Sequence, residues 1–103
     1  MVYKLIITER ADELLDKLLS YLIFHLKNEQ AASHLIDNIE KIYGRLEENP
    51  YQFPASKDGY LRKMGYREAV ASDMDYVIIF RIDGDMVYVV GIFHQLEDYR
   101  RKI

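Results

Sequence analysis

Apolar residues recur along this chain with two different periods, and the switches between them mark out its elements. Val2 to Thr8 is β-rich and reads as a strand, with Thr8 placed to cap whatever follows. From Glu9 to Leu26 the period becomes helical: Leu14, Leu15, Leu18, Leu19, Leu22, Ile23 and Leu26 form one broad apolar stripe. Lys27-Asn28 interrupts it. A second helix is predicted with Ala32, Leu35, Ile36, Ile39, Ile42, Tyr43 and Leu46 on one face, ending before Asn49-Pro50. Residues 49–60 hold both prolines and read as a loop, with Tyr51 and Phe53 expected to pin it to the core. Tyr66 to Ala71 reads as a short strand. Two β-rich segments then meet at Asp83-Gly84, a dipeptide that strongly favours a hairpin.

The expected order is therefore β-α-α-β-β-β. This is an α+β fold in which a helical hairpin packs on one face of a mostly antiparallel sheet. A two-residue Asp83-Gly84 turn would set Ile79 opposite Tyr88 and Ile78 opposite Val89. One hairpin face would then carry Tyr76, Ile78, Phe80, Val87, Val89 and Phe93, and this face is assigned to the helices. The other would carry Val77, Ile79, Arg81, Tyr88, Val90, Ile92 and His94. That face is polar at its rim and apolar in its middle, so a covering partner is expected there.

At 103 residues the chain is one domain, spanning 1–103, and half of its residues are hydrophobic, enough for a core of its own. The absence of cysteine excludes disulfides and thiolate metal sites and suits a reducing cytoplasm. No apolar run approaches the ~20 residues of a membrane span, and the N-terminus is too short for a signal-peptide core, so a cytoplasmic protein is expected. A net charge of −3 argues against a surface built to grip nucleic acid through its phosphates. The charge is uneven. Residues 1–58 carry 7 basic and 10 acidic side chains, and residues 59–103 carry 7 of each. Arg100, Arg101 and Lys102 gather at the end against Glu97 and Asp98.

His25 and His34 lack metal-ligand spacing, so neither a metal nor a cofactor is expected. His94 closes the last strand. Its unperturbed pKa near neutrality suits acid–base work, and a structural hydrogen bond to a carboxylate such as Asp98 accounts for it equally well. Arg81 has Asp83, Asp85 and Glu97 as candidate ion-pair partners, contacts of little energetic weight at a surface.

The strand–helix–helix start, the Tyr66-Arg67 pair, the spacing Tyr76-x-x-x-Phe80-Arg81-x-Asp83-Gly84-Asp85 and the ending His94-Gln95-x-x-Asp98 together resemble the RelE/ParE superfamily of bacterial toxins. The resemblance implies the toxin half of a type II toxin–antitoxin module, neutralised by a cognate antitoxin in a hetero-oligomer. Within the superfamily, RelE-like members cut mRNA in the ribosome, and ParE-like members bind and inhibit DNA gyrase. RelE-like nucleases carry an arginine directly after the tyrosine of the hairpin's first strand, where this chain has Val77. They carry another past the last strand, where it has Leu96-Glu97. Arg67 is retained in the preceding strand, but a second basic position there is Ala69.

Those departures bear on chemistry. Attack by a 2′-hydroxyl needs a base, an acid and cations on the pentavalent phosphate. Valine in place of the central cation removes the strongest electrostatic contribution. A nuclease here would have to work through Arg67, Arg81, His94 and Tyr99. The ending instead looks like the ParE-type tail, so gyrase inhibition is the favoured expectation, with a ribosome-dependent mRNA endonuclease as the alternative. A non-toxic binding module on the same fold is the third reading. The resemblance and the face assignment imply target contacts at Arg67, Arg81, His94, Gln95, Arg100, Arg101 and Lys102. They imply antitoxin contacts at Val77, Ile79, Tyr88, Val90 and Ile92.

Overall fold

The first strand, β1 (Lys4–Ile7), and the last, β4 (Met86–His94), are neighbours in space. They pair in parallel, with Leu5 opposite Val87 and Ile7 opposite Val89. In this computed structural model, which describes residues 2–70 and 75–103, the sheet is completed by β2 (Arg67–Val70) and β3 (Tyr76–Asp83) in the order β1-β4-β3-β2. The other two pairings are antiparallel. The architecture is the α+β one expected. The expected extension of β2 to Ala71 falls outside the described residues.

Thr8 ends β1 and starts α1 (Glu9–Ser20), its hydroxyl accepting the Ala11 N–H at 3.1 Å. Glu9 and Asp12 in the first turn complement the positive end of the helix dipole. The helix widens at Tyr21–His25 into a π-helical turn, in which the Leu26 N–H donates to the Tyr21 carbonyl. That extra residue per turn rotates the end of the leucine stripe. Leu22 stays buried, but Leu26 and Phe24 face outward, Phe24 being 76% exposed. Lys27 then takes a left-handed conformation (φ 50°) and reverses the chain into α2 (Glu29–Glu48), whose N-terminus is capped by the Asn28 side chain on the Ala31 N–H. Ala32, Leu35, Ile39, Ile42 and Leu46 are buried along α2 as the periodicity required; Ile36 lies at the edge of the stripe and is exposed.

The proline-bearing loop contains structure that its composition concealed. Pro50–Gln52 forms a 3-10 turn, and Asp58 caps a short helix, α3 (Gly59–Lys63). Phe53 is buried edge-on against Phe80, with ring centroids 5.9 Å apart. Tyr51 is 57% exposed and does not enter the core; it meets the ring of Tyr3 at the surface.

The hairpin departs from expectation in register. Asp83 pairs with Met86, so the turn residues are Gly84 and Asp85, and Gly84 supplies the positive φ of 61° that the first central position needs. Further along, Phe80 pairs with Val89 but Ile79 pairs with Gly91. Val90 is therefore an extra residue in β4, a β-bulge, and beyond it every side chain changes face. Ile92 and His94 join the helix-facing side, and Phe93 passes to the other. The core consequently has two parts. Ile78, Phe80, Val87, Val89 and Ile92 pack under the helices. Val77, Ile79 and Phe93 form a second cluster behind the sheet, closed over by Tyr66, Val90 and Tyr99.

Candidate functional site

The C-terminal corner is built by the end of β4 and the turn that follows. The backbone N–H of His94 donates to Glu97 Oε1 at 2.9 Å, and the Glu97 N–H donates back to the His94 carbonyl at 3.0 Å. Glu97 Oε2 lies 2.5 Å from Lys102 Nζ, so a single carboxylate ties the strand end to the 3-10 turn Tyr99–Lys102. Burial alone would raise the Glu97 pKa, but the hydrogen bonds from Lys102 and from the His94 N–H, with the positive charge of Lys102, hold it below the ordinary carboxylate value. Glu97, standing with Leu96 where RelE-like nucleases carry an arginine, is the pin of this corner. It presents an ordered tail in which Arg100 and Arg101 are exposed, Arg101 lying 3.3 Å from Asp98.

The His94 ring is occupied as well. Its Nδ1 accepts the Leu96 N–H at 3.1 Å, which leaves the ring proton of the neutral form on Nε2. The ring stands edge-on to Tyr76, with centroids 5.7 Å apart. The carboxylate that meets His94 is thus Glu97 through the backbone, in place of Asp98 through the ring. Tyr76 is held above its ordinary pKa of 10 by burial first, then by Tyr21, Asp75 and Glu97. The Gln95 N–H donates to the Asp75 carbonyl at 2.7 Å and closes the corner, and Leu96 projects from it, 90% exposed.

The four residues that a nuclease would require do not meet. Arg67 pairs with Phe80 and His94 with Tyr76, four residues apart along β3, or about 13 Å at strand rise. The Arg67 guanidinium is committed to the loop before it. Nε and Nη2 donate to the Phe53 carbonyl at 3.1 and 2.5 Å, and Nη2 reaches the Tyr51 carbonyl at 3.3 Å. Arg81 is at the hairpin end on the opposite face, its guanidinium 4.3 Å from the centroid of the Tyr88 ring, with no ion pair to Asp83, Asp85 or Glu97 among the described residues. Tyr99 stacks on Phe93 behind the sheet, centroids 5.5 Å apart. Burial, then the charges of Glu68 and Asp58, raise its pKa, so at neutral pH it carries its proton. The expected rim of Arg67, Arg81 and His94 is thus corrected to three separate places, set apart by the length of β3 and by the two faces of the sheet.

The expected exposed apolar face is corrected too. Val77 and Ile79 are buried behind the sheet, and the bulge turns Ile92 under the helices. Tyr88 and Val90 alone of that set are half-buried; the other three are buried. The face is covered from within the chain. Glu68, buried between β2 and the proline-bearing loop, accepts the Lys57 N–H, and Tyr66 and Tyr99 close over the rest. Sequence reasoning missed Glu68 and the clasp role of Glu97. Nothing local marks a carboxylate whose partner is a backbone N–H eleven residues away.

A second feature adjoins the corner. Arg10, Leu14, Lys17 and Leu18 of α1 face Ile92, Glu97 and Lys102 across a cleft of about 320 Å³. Among the described residues no group of three or more His, Cys, Asp or Glu side chains is placed to hold a metal ion, and no helix is long and apolar enough to cross a membrane.

Comparison with known proteins agrees with the geometry. The profile of the family described as "ParE toxin of type II toxin-antitoxin system, parDE" matches residues 5–99. A chain from the chromosomal ParDE toxin–antitoxin system of P. aeruginosa superposes with a TM-score of 0.73 at 18% identity, over 90% of this chain and 96% of that one. One from the RelBE2 toxin–antitoxin complex of Mycobacterium tuberculosis gives a TM-score of 0.60 at 20% identity, over 91% and 99%. At such identities both likenesses speak to the fold alone. No curated protein matches the chain.

Proposed function

The chain belongs to the ParE toxin family of type II toxin–antitoxin systems, and from that premise we propose that it arrests growth by binding DNA gyrase and is neutralised by a cognate antitoxin. The observation that carries this reading is the separation of Arg67, Arg81, His94 and Tyr99, which leaves no point where a base, an acid and two cations converge on one phosphate. A binding function asks less of the chain. It needs a rigid, accessible surface, and the C-terminal corner supplies one in His94, Gln95, Leu96, Arg100 and Arg101, held by the Glu97 clasp. Arg67 and Arg81, anchored elsewhere, are withdrawn from the contact set. Tyr88 and Val90 are the remaining candidates of the original antitoxin-facing group.

The test is inducible expression in a bacterial host with pulse-labelling of DNA, RNA and protein synthesis. DNA synthesis failing first, with a DNA-damage response and filamentation, is the expected result. Purified gyrase should then lose supercoiling activity in the presence of the wild-type protein and keep it with an Arg100→Glu/Arg101→Glu variant. Protein synthesis failing first, with mRNA cut inside codons on the ribosome, would overturn the proposal in favour of the nuclease. A chain that inhibits neither would be a binding module on a toxin's fold.

A further inference from the structure

Apolar surface is concentrated where the first helix ends. The π-helical turn Tyr21–His25 and the residue after it leave Tyr21, Phe24 and Leu26 outside, 49%, 76% and 51% exposed. A helix of ordinary pitch would have kept Leu26 in the stripe that begins at Leu14, so the wider turn adds a leucine to a phenylalanine already facing solvent. Tyr21 is held in place: its ring stacks on His25, with centroids 5.0 Å and planes 17° apart. Two shallow hollows of about 510 and 550 Å³ flank Phe24. Asp16, Lys17, Tyr21 and His25 line the first, and Ile23, Lys27 and Glu29 line the second, with Phe24 as the wall they share.

The charges around this ring are balanced and unused. Asp16, Lys17, Lys27 and Glu29 make no ion pair among the described residues. Each hollow carries one carboxylate and one ammonium. A partner surface of a single sign would satisfy half of these groups and repel the rest. The surface that meets all four carries the same set in reverse order, with a projecting ring and a hollow to receive one. A second copy of this chain turned about a two-fold axis has that surface, because an isologous contact brings one patch against itself.

We propose that the chain self-associates through this turn as a two-fold dimer, Phe24 of each copy entering the hollow beside Tyr21 of the other. Asp16 of one copy then faces Lys27 of the second, and Lys17 faces Glu29. Area sets the strength. Three side chains exposed to these extents offer on the order of 300–400 Å² of apolar surface per copy. A stable interface of standard size buries about 800 Å² per partner. The dimer is therefore weak and reversible, half-formed at on the order of tens of micromolar. The contact is closed, so assembly stops at two copies. None of this depends on which cellular target the chain engages.

The test is sedimentation velocity of the purified chain from about 1 to 500 µM, with circular dichroism to verify that each variant folds. The wild-type sedimentation coefficient should rise with concentration to that of a dimer and no further. Phe24→Asp should weaken the dimer by about tenfold or more. Met64→Lys, which changes a side chain 58% exposed at the end of α3, should sediment as wild type. Lys17→Glu should weaken the dimer about three- to tenfold at low salt, and less as salt rises. Adding Glu29→Lys to that variant should restore the dimer, since each interface then holds the same pair reversed. A wild-type chain that is monomeric at the highest concentration overturns the proposal, as does a Phe24→Asp chain that dimerises like wild type. Growth beyond two copies, or failure of Glu29→Lys to rescue Lys17→Glu, overturns the two-fold arrangement and the proposal with it. If the wild-type chain is monomeric and Phe24→Asp instead weakens binding to antitoxin or gyrase, the turn serves another protein; the proposal falls and the toxin–antitoxin reading stands.

Discussion

Replacing Gly91 with alanine probes the bulge and the second core together. A Cβ at this position would lie 2.5 Å from Cε2 and 2.7 Å from Cζ of Phe93, and 3.4 Å from Cδ1 of Leu14. The Phe93 ring folds back over the glycine, so one of the two must move. Phe93 has little freedom to do so: it is 1% exposed, sits among Val77 and Ile79, and is stacked under Tyr99. Overpacking of this kind costs about 1–3 kcal/mol. Alanine returns about 0.4–1 kcal/mol by restricting the unfolded chain, since Gly91 has no positive φ to lose. The net expectation is a loss of about 1–2 kcal/mol, or roughly 5–10 °C in Tm for a domain of this size. Urea denaturation followed by far-UV circular dichroism measures it, with an unchanged m-value confirming that the native state is the one affected. A double-mutant cycle isolates the cause. In a Phe93→Leu background, where the ring edge is gone, Gly91→Ala should be neutral or slightly stabilising, giving a coupling of about 1–2 kcal/mol. Equal cost in both backgrounds, or a Gly91→Ala protein as stable as wild type, would refute the argument that the ring occupies the glycine's missing side chain.

Three further outcomes follow from other parts of the molecule. Arg67→Ala should cost about 1–3 kcal/mol by releasing its hydrogen bonds to the Phe53 and Tyr51 carbonyls; at a temperature where the variant is fully folded, its growth inhibition on induction should match wild type, whereas a catalytic arginine would lose it. Lys27→Gly should stabilise by about 0.5–1 kcal/mol, because lysine carries a steric penalty at φ 50° that glycine does not, and a fall in the urea midpoint would contradict that account. Burial, aided by the charge of Asp12, pushes the Tyr43 phenol up to about 12. The folded state therefore holds this proton more tightly than the unfolded chain, and the associated stability is intact below pH 10 and lost as pH rises towards 12. Tyr43→Phe should flatten that alkaline loss in urea melts recorded between about pH 9 and 11.5.

Helix identity and sheet content were readable from the chain because they rest on local periodicity. The 3.6-residue recurrence from Leu14 to Leu22 and from Ala32 to Leu46, the caps at Thr8 and Asn28, and the β-branched runs around Asp83-Gly84 each need only a few neighbouring residues to be recognised. The family resemblance was legible for a similar reason: its motifs run through consecutive elements. The parallel partnership of β1 with β4 and the covering of the sheet's second face by Tyr66 and Tyr99 join residues far apart in the chain, and periodicity holds no information about them.

The decisive case is Val90. Locally it is one more β-branched residue in a strand, and an unbroken alternation puts Phe93 under the helices and Ile92 and His94 on the other face. In the folded chain Phe80 takes Val89 while Ile79 takes Gly91, because this register sends the bulky Phe93 ring over a glycine and brings Ile92 under α1. One unpaired residue inverted the side on which each candidate residue past it falls, and with it the expected rim. Sequence alone determined the two long helices, the four strands and the composition of the tail, while the short turns of helix in the proline-bearing loop stayed hidden. Only tertiary structure decided which faces they present, since register is settled by packing between elements, after each has satisfied its own local preferences.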